Sequence, residues 1–205
     1  NVYVGFNAGG VGVLTGDRNV AIGKGAALNA TSPDNCVYIG EMAAGSGVAT
    51  GNDNVVIGKE AGYDLTGGHS NVLLGRDAGT NFTDNHNNIV IGLYALDAAG
   101  STAIENYNIA IGTNALGSET AGADGCVAIG HQALEDQNDA NANNTAIGYQ
   151  AALNLSTGSD SVYMGYSAGG AGISTHDRNV AIGRSACLNA TSMASGTFVG
   201  AYAGG

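Results

Sequence analysis

Three cysteines, Cys36, Cys126 and Cys187, are the residues of this sequence that could form covalent cross-links. Two thiols can be joined as a disulfide only where the fold brings their Cα atoms within about 7 Å. Elsewhere a buried thiol behaves as a small hydrophobic side chain. The choice between these two roles therefore depends on how the chain is folded around the cysteines.

Two histidines, His69 and His86, could bind a metal ion. They occupy equivalent places in two successive segments of the chain, and Asp17, Asp34 and Asn52 occupy the same place in the preceding segments. Paired imidazoles suit a transition metal, whereas carboxylate and amide oxygens suit calcium. The spacing matches neither the nonapeptide calcium motif of β-solenoids nor a zinc motif. We therefore interpret these side chains as solvated turn residues and predict no cofactor, with calcium as the alternative to test.

No motif for catalysis is present in the sequence. It has no nucleophile elbow and no phosphate-binding Gly-rich loop, and we interpret the adjacent Glu135 and Asp136 as a solvated pair. The net charge of −11 disfavours nucleic acid and anionic membrane surfaces as partners. No apolar run approaches the roughly 18 residues of a membrane span. The sequence therefore predicts a protein that is not an enzyme and does not insert this segment into a membrane.

A short repeat encodes the elements that position these residues. The pattern N-V-x-I-G recurs, with substitutions, along the whole chain. Its closing glycines are Gly5, Gly23, Gly40, Gly58, Gly75, Gly92, Gly112, Gly130, Gly148, Gly165, Gly183 and Gly200. Three positions after each glycine stands an alanine: Ala8, Ala26, Ala43, Ala61, Ala78, Ala95, Ala115, Ala133, Ala151, Ala168, Ala186 and Ala203. This constant register indicates that the same geometric requirement recurs in every unit.

The repeat predicts an all-β fold, a parallel β-solenoid of about twelve coils with 17–18 residues in each coil. A unit this short cannot hold two helices, which need about 33 residues. Its alternating, β-branched residues are typical of a strand. We expect the flanking Val and Ile columns, such as Val20 and Ile22, to face the interior. The repeat asparagines should form a hydrogen-bonded ladder along the stack: Asn1, Asn19, Asn54, Asn71, Asn88, Asn108, Asn144 and Asn179.

The spacing of such coils bears on the cysteines. Cys36 and Cys126 would be separated by five coils, or roughly 24 Å, and Cys126 and Cys187 by three coils, or roughly 14 Å. Both separations exceed the reach of a disulfide. Two roles are left open, free buried thiols or disulfides that link Cys36, Cys126 or Cys187 to another chain.

The central position of each predicted strand is never charged, although we expect it to point outward. A strand that is apolar on both faces is usually covered on both faces. Twelve coils would form a rod of roughly 58 Å, too thin to cover that face by itself. The sequence therefore predicts that the larger central residues pack against another chain: Tyr3, Tyr38, Val56, Leu73, Val90, Tyr163 and Phe198.

A longer repeat is superimposed on the short one. The heptapeptide DRNVAIG occurs at 17–23 and again at 177–183, and 24 residues are identical between 1–45 and 161–205 without a gap. We interpret 1–205 as one repetitive segment whose super-repeat of 160 residues restarts at 161. We expect the whole protein to use this super-repeat in tandem.

The segments NVAIGKGAALNAT, CVAIGHQAL and NNTAIGYQAALNLSTG resemble the head repeats of trimeric autotransporter adhesins and the similar repeats of bacteriophage tail fibres. The resemblance covers the whole chain, although these coils are longer than those typical of adhesin heads. It implies a left-handed β-roll in which three chains pack side by side into an unbranched fibre.

The resemblance also implies a function. We expect a non-enzymatic structural fibre segment of a surface adhesin or phage tail fibre, located outside the cell or on a virion, that mediates attachment. Two alternatives keep the same fold. In one, the exposed loops bind a glycan or protein receptor on a host surface. In the other, the chain builds a cell-made extracellular matrix or sheath filament, which a tandem super-repeat would suit.

Overall fold

Twelve three-residue strands follow one another in a single parallel sheet, one strand in each coil. The structure is a computed structural model, and it describes residues 1–10, 15–98, 106–118, 122–139, 142–170, 177–189 and 194–204. The strands are β1 (Val2–Val4), β2 (Val20–Ile22), β3 (Val37–Ile39), β4 (Val55–Ile57), β5 (Val72–Leu74), β6 (Ile89–Ile91), β7 (Ile109–Ile111), β8 (Val127–Ile129), β9 (Thr145–Ile147), β10 (Val162–Met164), β11 (Val180–Ile182) and β12 (Thr197–Val199). Parts of the second copy of the super-repeat, at 171–176 and 190–193, lie outside the described residues.

Strand order in the sheet is the same as strand order in the chain. Each strand pairs in parallel with the strands before and after it, and equivalent repeat positions always face each other, as Val37 faces Val55. The register holds across the longest interval between repeat glycines, where Ile91 faces Ile111. The predicted all-β parallel solenoid is therefore confirmed. Its left-handed sense and its assembly into three chains stay predictions.

Hydrogen bonds between coils continue beyond the strands. The Gly40 N–H donates to the Ile22 carbonyl at 2.8 Å, and the Ala44 N–H donates to the Ala61 carbonyl at 3.0 Å. The backbone N–H and C=O groups in the turns of a coil therefore find hydrogen-bond partners in the neighbouring coils, as buried backbone groups must. The stack is bonded along its turns as well as along its sheet.

The repeat glycines make the bend that follows each strand. Their φ angles lie between +127° and +144°, a region that side chains oppose. Close stacking adds a second requirement, because a Cβ on Gly5 would lie 2.5 Å from the Gly23 carbonyl oxygen. The alanine three positions later closes the turn, as the Ala8 N–H donates to the Gly5 carbonyl at 3.2 Å. Alanines of this column in the inner coils, such as Ala61, are fully buried.

The two faces of the sheet are opposite to the sequence prediction. Central residues of the strands point into the solenoid, and Tyr38, Val56, Leu73, Val90 and Tyr163 are all 0% exposed. The flanking Val and Ile columns lie on the outside, where Ile22 is 38% exposed. The predicted interface is therefore wrong for the whole set Tyr3, Tyr38, Val56, Leu73, Val90, Tyr163 and Phe198. Tyr3 and Phe198 keep some exposure because they belong to the first and last coils.

The physical reason is the narrow interior. A strand of three residues can direct only one side chain inward, and the opposite wall contributes buried Ala side chains and loop residues such as Leu65 and Phe82. Space between the walls is shared between the central residue and the residue four positions after the repeat glycine. Tyr163 is matched by Gly169, whereas Ala128 is matched by Leu134. A bulky residue on one wall is therefore accompanied by a small one on the other in several coils, which keeps the core filled without overlap.

Candidate functional site

The largest candidate site is the outer face of the sheet. It consists of two parallel columns, which we call the sheet face: Val2, Val20, Val37, Val55, Val72, Ile89, Ile109, Val127, Thr145, Val162, Val180 and Thr197 in the first column, and Val4, Ile22, Ile39, Ile57, Leu74, Ile91, Ile111, Ile129, Ile147, Met164, Ile182 and Val199 in the second. Neither column contains a charged residue. In the middle of the rod, Leu74 and Ile89 are each 40% exposed.

The sheet face is a long and narrow strip. Three residues per strand and twelve coils give a surface about 10 Å wide and about 58 Å long. Its area, on the order of 580 Å², is comparable to the roughly 800 Å² that each partner contributes to a stable protein interface. An apolar patch of this size is at the upper end of the roughly 300–600 Å² that the largest patch of a soluble monomer covers, and such patches are often binding surfaces.

The predicted asparagine ladder is present, and it lies inside the solenoid. The Asn88 N–H donates to Asn71 Oδ1 at 3.1 Å, and Asn71 Nδ2 donates to the Asn85 carbonyl at 2.7 Å. Each amide therefore links two coils mainly through the backbone. Asn54, Asn71, Asn88, Asn108 and Asn144 are all fully buried. The ladder is a structural device and offers no surface to a ligand.

Cysteines 36 and 126 replace asparagine in this ladder. Cys36 Sγ lies 3.3 Å from the Asn54 N–H nitrogen, and the Cys126 N–H donates to Asn108 Oδ1 at 2.8 Å. Cys187 stands in another column, four positions after the repeat glycine Gly183. All three cysteines are 0% exposed, and burial raises the pKa of Cys36 and Cys187.

This environment does not favour the predicted intermolecular disulfides. A sulfur atom enclosed by its own coil cannot meet a sulfur atom of another chain unless the coil opens. A raised pKa also keeps the thiol protonated, and the thiolate is the reactive form. The structure therefore supports the other predicted role, in which Cys36, Cys126 and Cys187 fill the interior as small side chains.

The His69 and His86 rings stack at 4.5 Å with an interplanar angle of 2°. The nitrogen lone pairs of two stacked rings lie in parallel planes, so they do not converge on one ion. Oxygen atoms in the same column are engaged elsewhere: Asp34 Oδ1 accepts from the Asp17 N–H, and Asn52 Oδ1 accepts from the Asp34 N–H at 2.8 Å. Across the described ranges, no group of three or more His, Cys, Asp or Glu residues could hold a metal ion.

The carboxylates of Glu135 and Asp136 do not line a substrate-binding cavity formed by the described residues. Glu135 Oε1 accepts a hydrogen bond from Asn114 Nδ2 at 2.9 Å. Burial, followed by the charge of Glu135, raises the pKa of Asp136. The part of the chain that the structure describes contains no cavity that could enclose a substrate beside them.

The described residues also contain no helix that is long and apolar enough to cross a bilayer.

A second surface, which sequence reasoning missed, follows the glycine bend. The residue after the repeat glycine is His131, Tyr149, Tyr166 and Arg184 in four successive coils. The Tyr149 and Tyr166 rings stack at 5.2 Å, and the His131 ring lies 5.1 Å from Tyr149. Arg184 Cζ lies 5.7 Å from the Tyr166 ring centroid and 5.9 Å from that of Tyr202. We call these five residues the aromatic stripe.

The same column has a different character earlier in the chain. There the cations form ion pairs, at 3.2 Å between Lys24 and Glu41, and at 2.9 Å between Arg76 and Asp77. The repeat alignment contains the signal that reveals the change, because the residue after each glycine can be read directly from the sequence.

No family model, no curated protein and no solved structure matches this chain. The functional argument therefore depends on the two surfaces and on the fold that supports them.

Proposed function

We propose that this chain is a non-enzymatic structural segment of an extracellular fibre, in which copies of the chain pack side by side through the sheet face. The observation that carries the proposal is the uncharged strip on the outside of the sheet, which is apolar except at Thr145 and Thr197. An uncharged strip of this length loses its contact with water most simply against an identical strip, because both have the same coil spacing.

The proposal includes the setting of the fibre. We assign it to a surface adhesin or a bacteriophage tail fibre, outside the cell or on a virion, where it mediates attachment as a homotrimer. Support comes from the resemblance of the repeat to those families. The in-register stack adds support, since every coil is bonded to its neighbours along sheet and turns.

A second candidate is a cell-made extracellular matrix or sheath filament. The observation that favours it is the 160-residue super-repeat, whose second copy retains 24 of 45 residues of the first. The two candidates differ in how assembly ends. A closed trimer has one mass, whereas a filament or sheath continues to grow with concentration.

Sedimentation equilibrium tests the proposal. We expect the wild-type chain to sediment as a closed species of three times its 20.2 kDa mass. The double variant Leu74→Lys/Ile89→Lys places one charge in each column of the sheet face and should sediment as a monomer. Leu93→Lys is the matched control, because Leu93 is also exposed, at 38%, but follows the glycine bend.

Circular dichroism should give the same β signal for all three proteins. A wild-type chain that stays monomeric at high concentration would overturn the proposed packing. Loss of assembly in Leu93→Lys as well would assign the contact to another surface. Growth of wild-type particles without limit would favour the matrix or sheath filament.

A further inference from the structure

The aromatic stripe has the features of a ligand-binding surface. Its members in the inner coils are exposed, with Tyr149 at 45% and Tyr166 at 53%. Each exposed tyrosine presents to solvent a hydroxyl group that can both donate and accept hydrogen bonds. Beside them, Gln150 Nε2 donates to Gln132 Oε1 at 2.8 Å, which adds a second row of polar groups. The stripe thus offers polar atoms at intervals of one coil, or about 4.8 Å.

Arg184 is the charged centre of the stripe. Its guanidinium lies between the Tyr166 and Tyr202 rings, an arrangement that attracts a cation to the aromatic faces. Within the described residues, no carboxylate lies at ion-pair distance from Arg184. With no such partner, the N–H edge of the guanidinium is left for a ligand. That edge can bind a carboxylate through two parallel hydrogen bonds.

The first copy of the super-repeat provides an internal comparison. Lys24 stands where Arg184 stands in the second copy, and Glu41 stands where the second copy has Ala201. The Lys24 ammonium and the Glu41 carboxylate neutralise each other at 3.2 Å. In the second copy that carboxylate is missing and an aromatic ring, Tyr202, has been added. In the second copy, the place that the Glu41 carboxylate fills in the first copy is therefore open to a carboxylate of a ligand.

We propose that the aromatic stripe binds an acidic polysaccharide, with the Arg184 guanidinium on a uronic acid carboxylate and the tyrosine hydroxyls and glutamine amides on sugar hydroxyls of the same chain. Three properties of the surface favour this ligand. It is open and lies along the rod, which suits an extended polymer. It carries one cation among several neutral polar groups, which suits a polymer whose charges alternate with hydroxyls. The net charge of −11 disfavours polyanions with more than one charge per unit, such as heavily sulfated polysaccharides.

Affinity electrophoresis in native gels tests the proposal, with polygalacturonate as the acidic polysaccharide. We expect polygalacturonate to retard the wild-type chain, whereas neutral dextran leaves its mobility unchanged. Ala201→Glu restores the carboxylate of the first copy and should weaken the binding by about tenfold or more, as should Arg184→Gln. Each variant is compared with itself in a gel without polymer, which removes the effect of its altered charge.

Lys24→Gln is the matched control, because it removes a cation from the equivalent place in the first copy. It should bind polygalacturonate as the wild type does. The proposal is overturned if Arg184→Gln binds unchanged, if Lys24→Gln loses as much affinity, or if polyglutamate is bound as tightly as polygalacturonate. The site needs no second chain, so the monomeric Leu74→Lys/Ile89→Lys variant should still bind the polymer. This result separates failure of the site from failure of the proposed assembly.

Discussion

Gly169 lies directly against the phenol ring of Tyr163, so a methyl group added at Gly169 would overlap the ring. The same relationship recurs at Gly9 and Tyr3, where the added Cβ would lie 2.6 Å from Cδ1. In other coils the sizes are reversed, with Leu134 opposite Ala128. The interior is therefore specified coil by coil through pairs of residues whose combined volume is limited.

This pairing predicts a rescue. Gly169→Leu should lower the free energy of unfolding by at least about 1–3 kcal/mol, because it overfills the coil. The double change Tyr163→Ala/Gly169→Leu reproduces the residue pair found at Ala128 and Leu134, and should recover most of that loss. Urea denaturation of the wild type and of each single and double variant measures the coupling. Simple addition of the two single effects would show that the two positions do not share one space.

Glycines with a positive φ should differ in their tolerance of alanine according to their neighbours. A Cβ at Gly112 would overlap the Gly130 carbonyl oxygen, whereas a Cβ at Gly25 would meet only the flexible side chain of Met42. The Gly130 backbone is held by the stack and cannot move away as a methionine side chain can. We expect Gly112→Ala to cost at least about 2 kcal/mol more than Gly25→Ala in urea denaturation. Equal costs would contradict this account.

Removal of one asparagine side chain from the ladder should lower the free energy of unfolding substantially. Asn71→Ala would leave the Asn88 N–H and the Asn85 carbonyl without their partners, and each unsatisfied buried group costs about 1–3 kcal/mol. Asn71→Ser should cost less, because Ser161 performs the same task in its own coil, where its Oγ accepts from the Asn179 N–H at 3.0 Å. Thermal unfolding of the two variants checks the order. A serine variant as weak as the alanine variant would contradict this account.

The buried thiols should be unreactive in the native protein. Burial both blocks access and raises the pKa of Cys36 and Cys187, so little thiolate is present at neutral pH. We expect DTNB to label none of the three cysteines within minutes at pH 7.5, and all three after denaturation in urea. Rapid labelling of native protein would instead indicate coils that open readily, and would make disulfides between chains accessible.

Stability should depend on pH through Asp97. Burial, helped by the charges of Asp77 and Glu135, raises the pKa of this carboxyl from its ordinary 3.8 to about 6. The folded chain therefore binds this proton more tightly than the unfolded chain does. The resulting stabilisation is fully present below about pH 3.8 and is lost as the pH rises through about 6.

The comparison of Asp97→Asn with the wild type measures this effect. At pH 7.5 the variant should have the higher urea midpoint, because it removes a carboxylate that is costly to ionise. The difference should shrink as the pH is lowered towards 4. Asp53→Asn, at an exposed position, controls for the general effect of one less negative charge on an acidic chain. An Asp97→Asn difference that does not change with pH would contradict the assignment.

The strands, the parallel register and the glycine bend could be predicted because each coil has the same residue types at the same repeat positions. One ambiguous residue is outweighed by its equivalents in the other coils, as Thr145 is by Val127 and Val162. The asparagine ladder could be predicted in the same way, because an amide that recurs beside every strand is placed to form hydrogen bonds along the stack.

The inner and outer faces of the sheet could not be assigned from alternation alone. Three consecutive apolar residues, such as Val55, Val56 and Ile57, fit either face, and a shift of one residue exchanges the faces. Side-chain volume contains the missing information. A small central residue such as Ala110 is accompanied by a large one at Leu116, and only two residues that share an enclosed space need such matching.

The aromatic stripe was missed for a related reason. Position-by-position comparison emphasises what is constant, whereas this column is informative because it changes. Lys24 and Arg184 have the same charge, and only their neighbours Glu41 and Ala201 distinguish a neutralised cation from an available one.

Because every strand meets its neighbours at the same repeat positions, the fold has no preference for which coil comes next. A genetic crossover between the two DRNVAIG segments would delete 160 residues and join coil two to coil twelve with each column still aligned. The rod would shorten by nine coils, about 43 Å, while its cross-section stayed the same. Unequal recombination can therefore change the reach of this protein in fixed steps without passing through a misfolded intermediate length.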